Sequence, residues 1–427
     1  MKLDDRIAGR IASDPELWRD FNDICDTGGR LAGTESEKKA FALLRERVKA
    51  ASPANSGRSI PVPYGGWRAR TATLRLADGT MAKCHPLVRS IATAKEGLTA
   101  EVIDIGRGTP EEFAEHAQEI KGRIVLVRHE LMFAAGTIHR RRKYDMARDN
   151  GAVGFLIAGP QPGHVVTGSS GRMGGEGIPG LGVTPEVAAR LARAAAGWPS
   201  VTMTIETEES PAETETLMYE YPGTSDEWVV LSAHVDGHDL AESAMDNGTG
   251  LASVLAVTRA LSPHVAQWRR GLRVMFFSVE EWALTGSAQY VQSLSQAERG
   301  RIALNVNLDS VAGSPNLAAL TSGYAGVEPF LLKVAADNGQ SIRTVRPLMT
   351  NSDHANFAQG GIPAIRLVAG FDDPTAHLHK VLTPADTRDK VAQSELRQAT
   401  LLTAAFVAAA CNADPAEVAK WRTYLAR

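Results

Sequence analysis

Cysteine is scarce: Cys25, Cys84 and Cys411 are the only three in 427 residues. They are odd in number, far apart and in no CxxC pair, which argues against a disulfide framework. Long apolar runs are missing too. No stretch approaches the roughly 18 to 20 apolar residues of a membrane span, and "MKLDDRIAGRIASDPELWRD" lacks the apolar segment of a secretory signal. The expectation is a cytoplasmic protein with no membrane partner. Excess charge of one sign is absent as well. With 46 Lys and Arg against 49 Asp and Glu, the net charge is -3, so nucleic acid is not an expected partner. The one dense basic cluster, "HRRRK" from His139 to Lys143, reads as a solvated helix face.

What is present is an ordinary globular composition, 44% apolar and 22% charged, in a chain long enough for two domains. The first fifty residues read as helical. "ELWRDFNDICDTGG" stops at a Gly pair, and "TESEKKAFALLRERVKA" opens with Thr34 and Glu37 in a capping-box pattern. Residues 60–89 read as short segments punctuated by Pro and Gly. Residues 96–208 have their own rhythm: strands "GRIVLVRH", "VGFLIAG" and "VTMTIETEES" alternate with helices "RRKYDMARDNGA" and "EVAARLARAAAG". This is expected to be an inserted small α+β unit between a first part, 1–95, and the main part, 209–427. From Glu227 onward strands and helices alternate, which predicts a mixed, largely parallel α/β sheet flanked by helices.

Ligands of open α/β sheets collect at the carboxyl ends of the strands. "WVVLSA" ends in His234, "RVMFFSV" in Glu280 and Glu281, and "IALNVNL" in Asp309. Asp246 lies in the loop that opens the next helix. One acidic residue at a strand end means little, but this set on successive strands would repel itself without a cation. Imidazole and carboxylate without thiolate suit zinc, with cobalt or manganese as alternatives. Asp246, Glu281 and Asp309 carry about -3 against +4 for two divalent ions, close to balance with a bridging hydroxide. Glu280 is then free to serve as general base. Asp236, two residues past His234, is expected to orient the His234 ring through its second nitrogen. His238 and Asp239 read as loop polarity.

These motifs together resemble a known family. His-x-Asp, Met-Asp-Asn-Gly-x-Gly, Glu-Glu, Leu-Asp-Ser, "SDHANF", "GIPAI" and "TPADT" stand in the order of the co-catalytic zinc exopeptidases of the M28 class. "RLAGTESEKKAF" is similar to that family's opening helix, and "GRIVLVRH" with "NGAVGFLIAG" resembles a protease-associated domain. The resemblance implies two zinc ions, with His234 on one, Asp246 bridging, and Glu281 and Asp309 each on one ion. It implies Glu280 as general base, Asp353 and His354 near the substrate, and a cis peptide between Asp246 and Asn247. Gly248 and Gly250 would let the backbone pass close to the metals. Ser352 alone reads as a helix cap.

One position departs. The family's histidine four residues before the Asp of its last motif is replaced here by Leu382, which cannot bind zinc. His379, ahead of His377, is the expected substitute; without it one zinc would be held. The implied function is peptide-bond hydrolysis by an aminopeptidase, through a metal-activated water, on peptides or amino-acid amides. A carboxypeptidase, dipeptidase or N-acyl amino acid amidohydrolase on the same site is the alternative, and a binding homologue without catalysis a more remote one. A relative of the M20 class would carry Val-Val-Pro after His-x-Asp, which this chain lacks. Oligomeric state is not legible.

Overall fold

The computed structural model describes residues 1–52, 55, 57–170, 172, 176–193 and 197–425. Runs that are mostly apolar, with no polar alternation, need cover on both faces, and four such runs, buried at nearly every position, occupy the centre of the sheet. Ala364–Ala369, Ile302–Leu308, Trp228–His234 and Gly271–Phe277 lie side by side, each parallel to its neighbour. Leu317–Leu320 and Arg343–Val345 extend one side; both are too short for their pattern to be read from sequence. Helices Thr249–Leu261 and Gln393–Asn412 pack on each other, and Glu16–Asp26 and Glu35–Ala51 join them. Thr285–Ser293 and His354–Gln359 form a second packed pair.

Beyond Gly271–Phe277 the sheet continues. Ser200–Tyr221, 22 residues long, pairs there through Leu217 to Tyr221. The same strand runs antiparallel to Arg58–Leu76 over most of its length. Its far end takes Leu98–Asp104, and the order continues through Ile124–Arg128, Gly154–Ala158, Gly180–Val183 and Cys84–Pro86. Among the described residues one sheet of 14 strands therefore runs through the main part and the insert.

Several expectations change here. Much of residues 60–89 lies in a 19-residue strand, Arg58–Leu76, and not only in short segments. Pro61 and Pro63 are tolerated because, Leu74 and Arg75 apart, Arg58–Leu76 pairs on one side only. Having the same parity, both nitrogens face one way, where an edge needs no donor. The "HRRRK" cluster starts helix Arg140–Asp149, but Arg140 and Lys143 are buried. Lys143 Nζ donates to the carbonyls of Arg107 and Arg128 (2.7 and 2.8 Å) and to Glu130 (2.6 Å). The helix expected over 186–197 is Pro185–Ala192, capped by Thr184; residues 194–196 lie outside the described residues. Only half of the Thr34 capping box forms. Thr34 accepts the Glu37 N–H, while the Glu37 carboxylate accepts from Gly33 N–H and from the hydroxyls of Thr214 and Ser278.

The turn before Glu35–Ala51 presses against the loop that follows His234. A methyl group on Gly29 would lie 1.9 Å from the His238 carbonyl oxygen and 2.8 Å from that of Ala241. Both obstacles are backbone, so neither can rotate away. Gly29→Ala is expected to lower stability by about 1–3 kcal/mol, read as a shift in the urea midpoint; an unchanged midpoint would show the loop free to move.

Candidate metal centre

Parallel order brings the ends of three central strands to one edge. His234 is the last residue of its strand and pairs with Phe277, after which the chain turns to present Glu280 and Glu281. Asp309 directly follows Leu308, and Asp246 sits in the turn Ala244–Gly248 that opens helix Thr249–Leu261. His234 Nε2 lies 3.2 Å from Asp246 Oδ1 and 3.6 Å from Asp309 Oδ1, yet it makes no well-aligned hydrogen bond. All three residues are buried, with their ligand atoms within 4.8 Å of one another. Side chains that converge on a common point, with an orphaned buried nitrogen among them, fit a zinc ion.

Backbone and side-chain contacts hold this set. His234 Nδ1 is 2.9 Å from the carbonyl oxygen of Asp236, which leaves Nε2 for the centre. The Asp236 carboxylate, 3.9 Å from the same ring, does something other than expected. Its two oxygens accept the backbone N–H groups of Glu280 (3.0 Å) and Glu281 (3.1 Å). Asp236 therefore orients the glutamate pair, and its peptide carbonyl orients the imidazole. The Asp246–Asn247 peptide is cis. Asn247 donates to the Leu308 carbonyl and accepts from Gly250 and Ser310. A methyl group on Gly250 would lie 2.2 Å from Asn247 Oδ1 and 2.6 Å from the Leu308 oxygen, so this glycine provides clearance between helix and strand; Gly248 meets nothing nearer than 3.4 Å.

Three supporting residues were not picked out from sequence. Arg366, on a buried strand, places Nη2 3.1 Å from Asp309 Oδ2. Asp386, in "TPADT", accepts the N–H groups of Met245 (2.7 Å) and Asp246 (3.3 Å). Arg30, in "RLAG", is fully buried and donates to the carbonyls of Gly28, Val235, Glu242 and Ser243. A charged residue inside an otherwise apolar strand was the available signal for Arg366; the other two lie in loops, where charge is unremarkable.

The electrostatics follow from burial. Desolvation pushes Glu280 well above the usual carboxylate range and Glu281 up to about 8, aided by Glu281 and Asp246 respectively. Asp309 moves the other way: burial opposes its charge, but the Arg366 guanidinium beside it prevails. Burial also opposes protonation of His234, yet the charges of Glu280, Asp246 and Asp309 hold its pKa well above the ordinary value. Protons thus gather where negative charge is in excess, the position a bound cation would relieve.

Other expected site residues fall outside the cluster. His379 is half-buried on a short 3-10 turn, its Nε2 2.7 Å from the Pro374 carbonyl, and His377 contacts Lys380. Among the described residues neither joins a group of potential ligands. Leu382 is buried, and its carbonyl accepts from Thr167 of the insert. Asp353 and His354 are fully buried. Asp353 accepts from the Ser287 hydroxyl, and burial raises it to about 7. Ser352 is no helix cap: its hydroxyl accepts from Asn307 at 2.9 Å. Asp239 pairs with His85 of the insert (3.1 Å), and Glu242 with Arg388.

A buried His–Asp–Asp cluster with an adjoining glutamate pair, at the carboxyl edge of a mixed α/β sheet, fits a hydrolase of the metallopeptidase class. Residues 216–407 match the profile of peptidase family M28, and residues 85–191 match the PA domain. The chain is thus similar to the M28 peptidases over its second half and to the PA domain ahead of it. Cys84–Pro86, at the start of the PA match, pairs with Gly180–Val183 near its end. The chain is 28% identical over 376 residues to a probable lipoprotein aminopeptidase, LpqL, of Mycobacterium tuberculosis, covering 81% of this chain and 70% of that one. It is 25% identical over 391 residues to aminopeptidase YwaD of Bacillus subtilis, covering 88% and 80%. Among solved structures, a peptidase M28 precursor from Shewanella amazonensis superposes with a TM-score of 0.79 at 20% identity, over 96% of each chain. A zinc aminopeptidase from Bacillus subtilis gives 0.73 at 23%, over 93% and 94%. Among the described residues no helix is long and apolar enough to cross a membrane.

The double acceptance by Asp236 can be broken with little change of shape. Asp236→Asn turns an NH2 group toward one of the two buried amides. It is expected to cost about 1–3 kcal/mol of stability, the penalty of an unsatisfied buried donor. Zinc affinity, measured by chelator competition, should weaken in parallel; if both stay at wild-type values, Asp236 does not set the glutamate pair.

Proposed function

We propose that this protein is a zinc-dependent aminopeptidase in which Glu280 is the general base. The observation that carries the reading is the orphaned Nε2 of His234 facing two carboxylates, in a chain whose relatives are named aminopeptidases. His234 and Asp309 would hold one zinc, Glu281 the other, with Asp246 shared. Zinc, when bound, supplies Lewis-acid activation of water and of the scissile carbonyl. Glu280 takes the proton from the attacking water and returns it to the departing amine. Its peptide N–H is fixed by Asp236, which holds the Glu280 backbone in place beside the centre. Arg366 keeps Asp309 ionised, so that carboxylate stays a ligand and does not compete for the proton. Three free cysteines suit a reducing, cytoplasmic setting.

Glu280→Gln keeps size and neutral hydrogen bonding but cannot accept a proton. On zinc-loaded protein it should lose about 10²–10⁴-fold in kcat with aminoacyl p-nitroanilides, at unchanged zinc content. Retention of most activity would refute the role. N-acetylated versions of the same substrates should be inert to wild type; turnover confined to them would replace aminopeptidase by amidohydrolase.

One observation favours the dipeptidase reading beside this. Arg140 and Arg141 of the insert act electrostatically on Glu280 and Glu281. Arg140 Nη1 and Arg141 Nε are buried with no hydrogen-bond partner. Arg141 lines a cavity of about 460 Å³ with Met132, Ile138, Met349 and Asn351. The Asn351 carbonyl accepts from Arg366 (3.2 Å), the same arginine that pairs with Asp309. A cationic wall so close to the cluster suits the free carboxylate of a short peptide. Arg141→Ala should raise KM for dipeptides about 10–100-fold, the weight of a charge-assisted hydrogen bond, and leave aminoacyl amides unchanged. An equal loss on both substrates would count against a carboxylate site.

A further inference from the structure

The family's usual second imidazole is Leu382 here, and His379 is turned to the Pro374 carbonyl. A second metal site would therefore have Asp246 and Glu281 but no histidine from the last motif. Glu281 Oε1 is buried without a hydrogen-bond partner, so this half of the centre is short of something to bind. We propose that His238 is the missing imidazole, supplied by the loop between His234 and Asp246 in place of the one the last motif lacks.

His238 is buried, and neither of its ring nitrogens has a hydrogen-bond partner. Two orphaned nitrogens on one buried ring are costly unless a ligand is to meet them. Among the described residues only His354 shares that property. The charges that act on His354 are Arg366 and Asp309, which puts it on the arginine side of the cluster, a poor place for a second cation. For His238 the foremost charge is Asp246, and for Glu281 it is Asp246 again. Both orphaned groups thus feel the charge of the same carboxylate most strongly. Burial holds His238 down to about 4, so at neutral pH the ring is uncharged and offers a lone pair.

The loop is built to hold this ring. The His238 N–H donates to Ser243 Oγ at 3.1 Å, and the Gly237 N–H donates to the Arg30 carbonyl at 3.2 Å. Arg30 in turn ties down the carbonyls of Glu242 and Ser243, while Gly29 packs on the His238 carbonyl. Asp239 is anchored by His85. A loop residue that only supplied polarity would not need its backbone clamped on both sides while its ring was withdrawn from water.

The inference rests on the zinc reading above, and the test separates the two. Chelator-stripped wild type, His238→Phe and His379→Phe are titrated with zinc, and bound metal is counted after gel filtration; Phe keeps the ring volume and removes the nitrogens. Expected are two zinc per chain for wild type and for His379→Phe, and one for His238→Phe with an unchanged far-ultraviolet spectrum. Two zinc in His238→Phe, or one in wild type, would overturn the assignment of His238 and leave a zinc peptidase standing. No zinc in wild type would remove the zinc reading itself. Should His238→Phe not fold, X-ray absorption on zinc-loaded His379→Phe decides: one imidazole per zinc supports His238, and half that number overturns it.

Discussion

Repulsion among buried carboxylates is the constraint around which this protein is arranged. Asp236, Asp246, Glu280, Glu281, Asp309, Asp353 and Asp386 are all buried about one sheet edge, where ionising them together is prohibitive without compensation. The chain compensates them one at a time. Asp236 and Asp386 each accept two backbone N–H groups. Asp309 has Arg366, and Asp353 has the Ser287 hydroxyl. What is left facing the centre is Asp246, Glu281 and Glu280, with an imidazole between. The fold thus concentrates its uncompensated negative charge on these three carboxylates.

This division of labour explains why two acids of similar appearance behave so differently. Asp309 is held ionised by a guanidinium, whereas Glu280, a short way off, is driven toward its neutral form by desolvation. The ligand and the proton carrier of the proposed reaction differ in just this way. The second field acting on the centre comes from outside the main part. Arg140 and Arg141 reach it from the insert, so the PA domain contributes charge to the site as well as shape.

Much of the centre was legible because strand ends are. An apolar run that stops at His234 or Asp309 marks both an element boundary and a direction, and parallel order does the rest. The loop residues were not legible. His238 and Asp239 are adjacent, equally polar and in the same loop, yet one ring is withdrawn from water and the other side chain pairs with His85. Nothing in their spacing separates those fates, which are set by Gly29 and Arg30 some two hundred residues earlier. His379 illustrates the converse: proximity in sequence to the last motif suggested a ligand, but a 3-10 turn points it at a carbonyl. Arg140 and Lys143 misled as well, because a run of basic residues reads as solvated unless its buried carbonyl partners are known.

The long ribbon of Arg58–Leu76 and Ser200–Tyr221 has a mechanical meaning. One end of Ser200–Tyr221 places Leu217, Met218 and Tyr219 in the largest apolar core, and the other places Val201, Met203 and Ile205 in the core of the insert. It is a beam clamped at both ends, and a swinging insert would have to bend a hydrogen-bonded two-stranded sheet. Main part and insert are therefore tied by one continuous ribbon, and heat should melt the two cores as one.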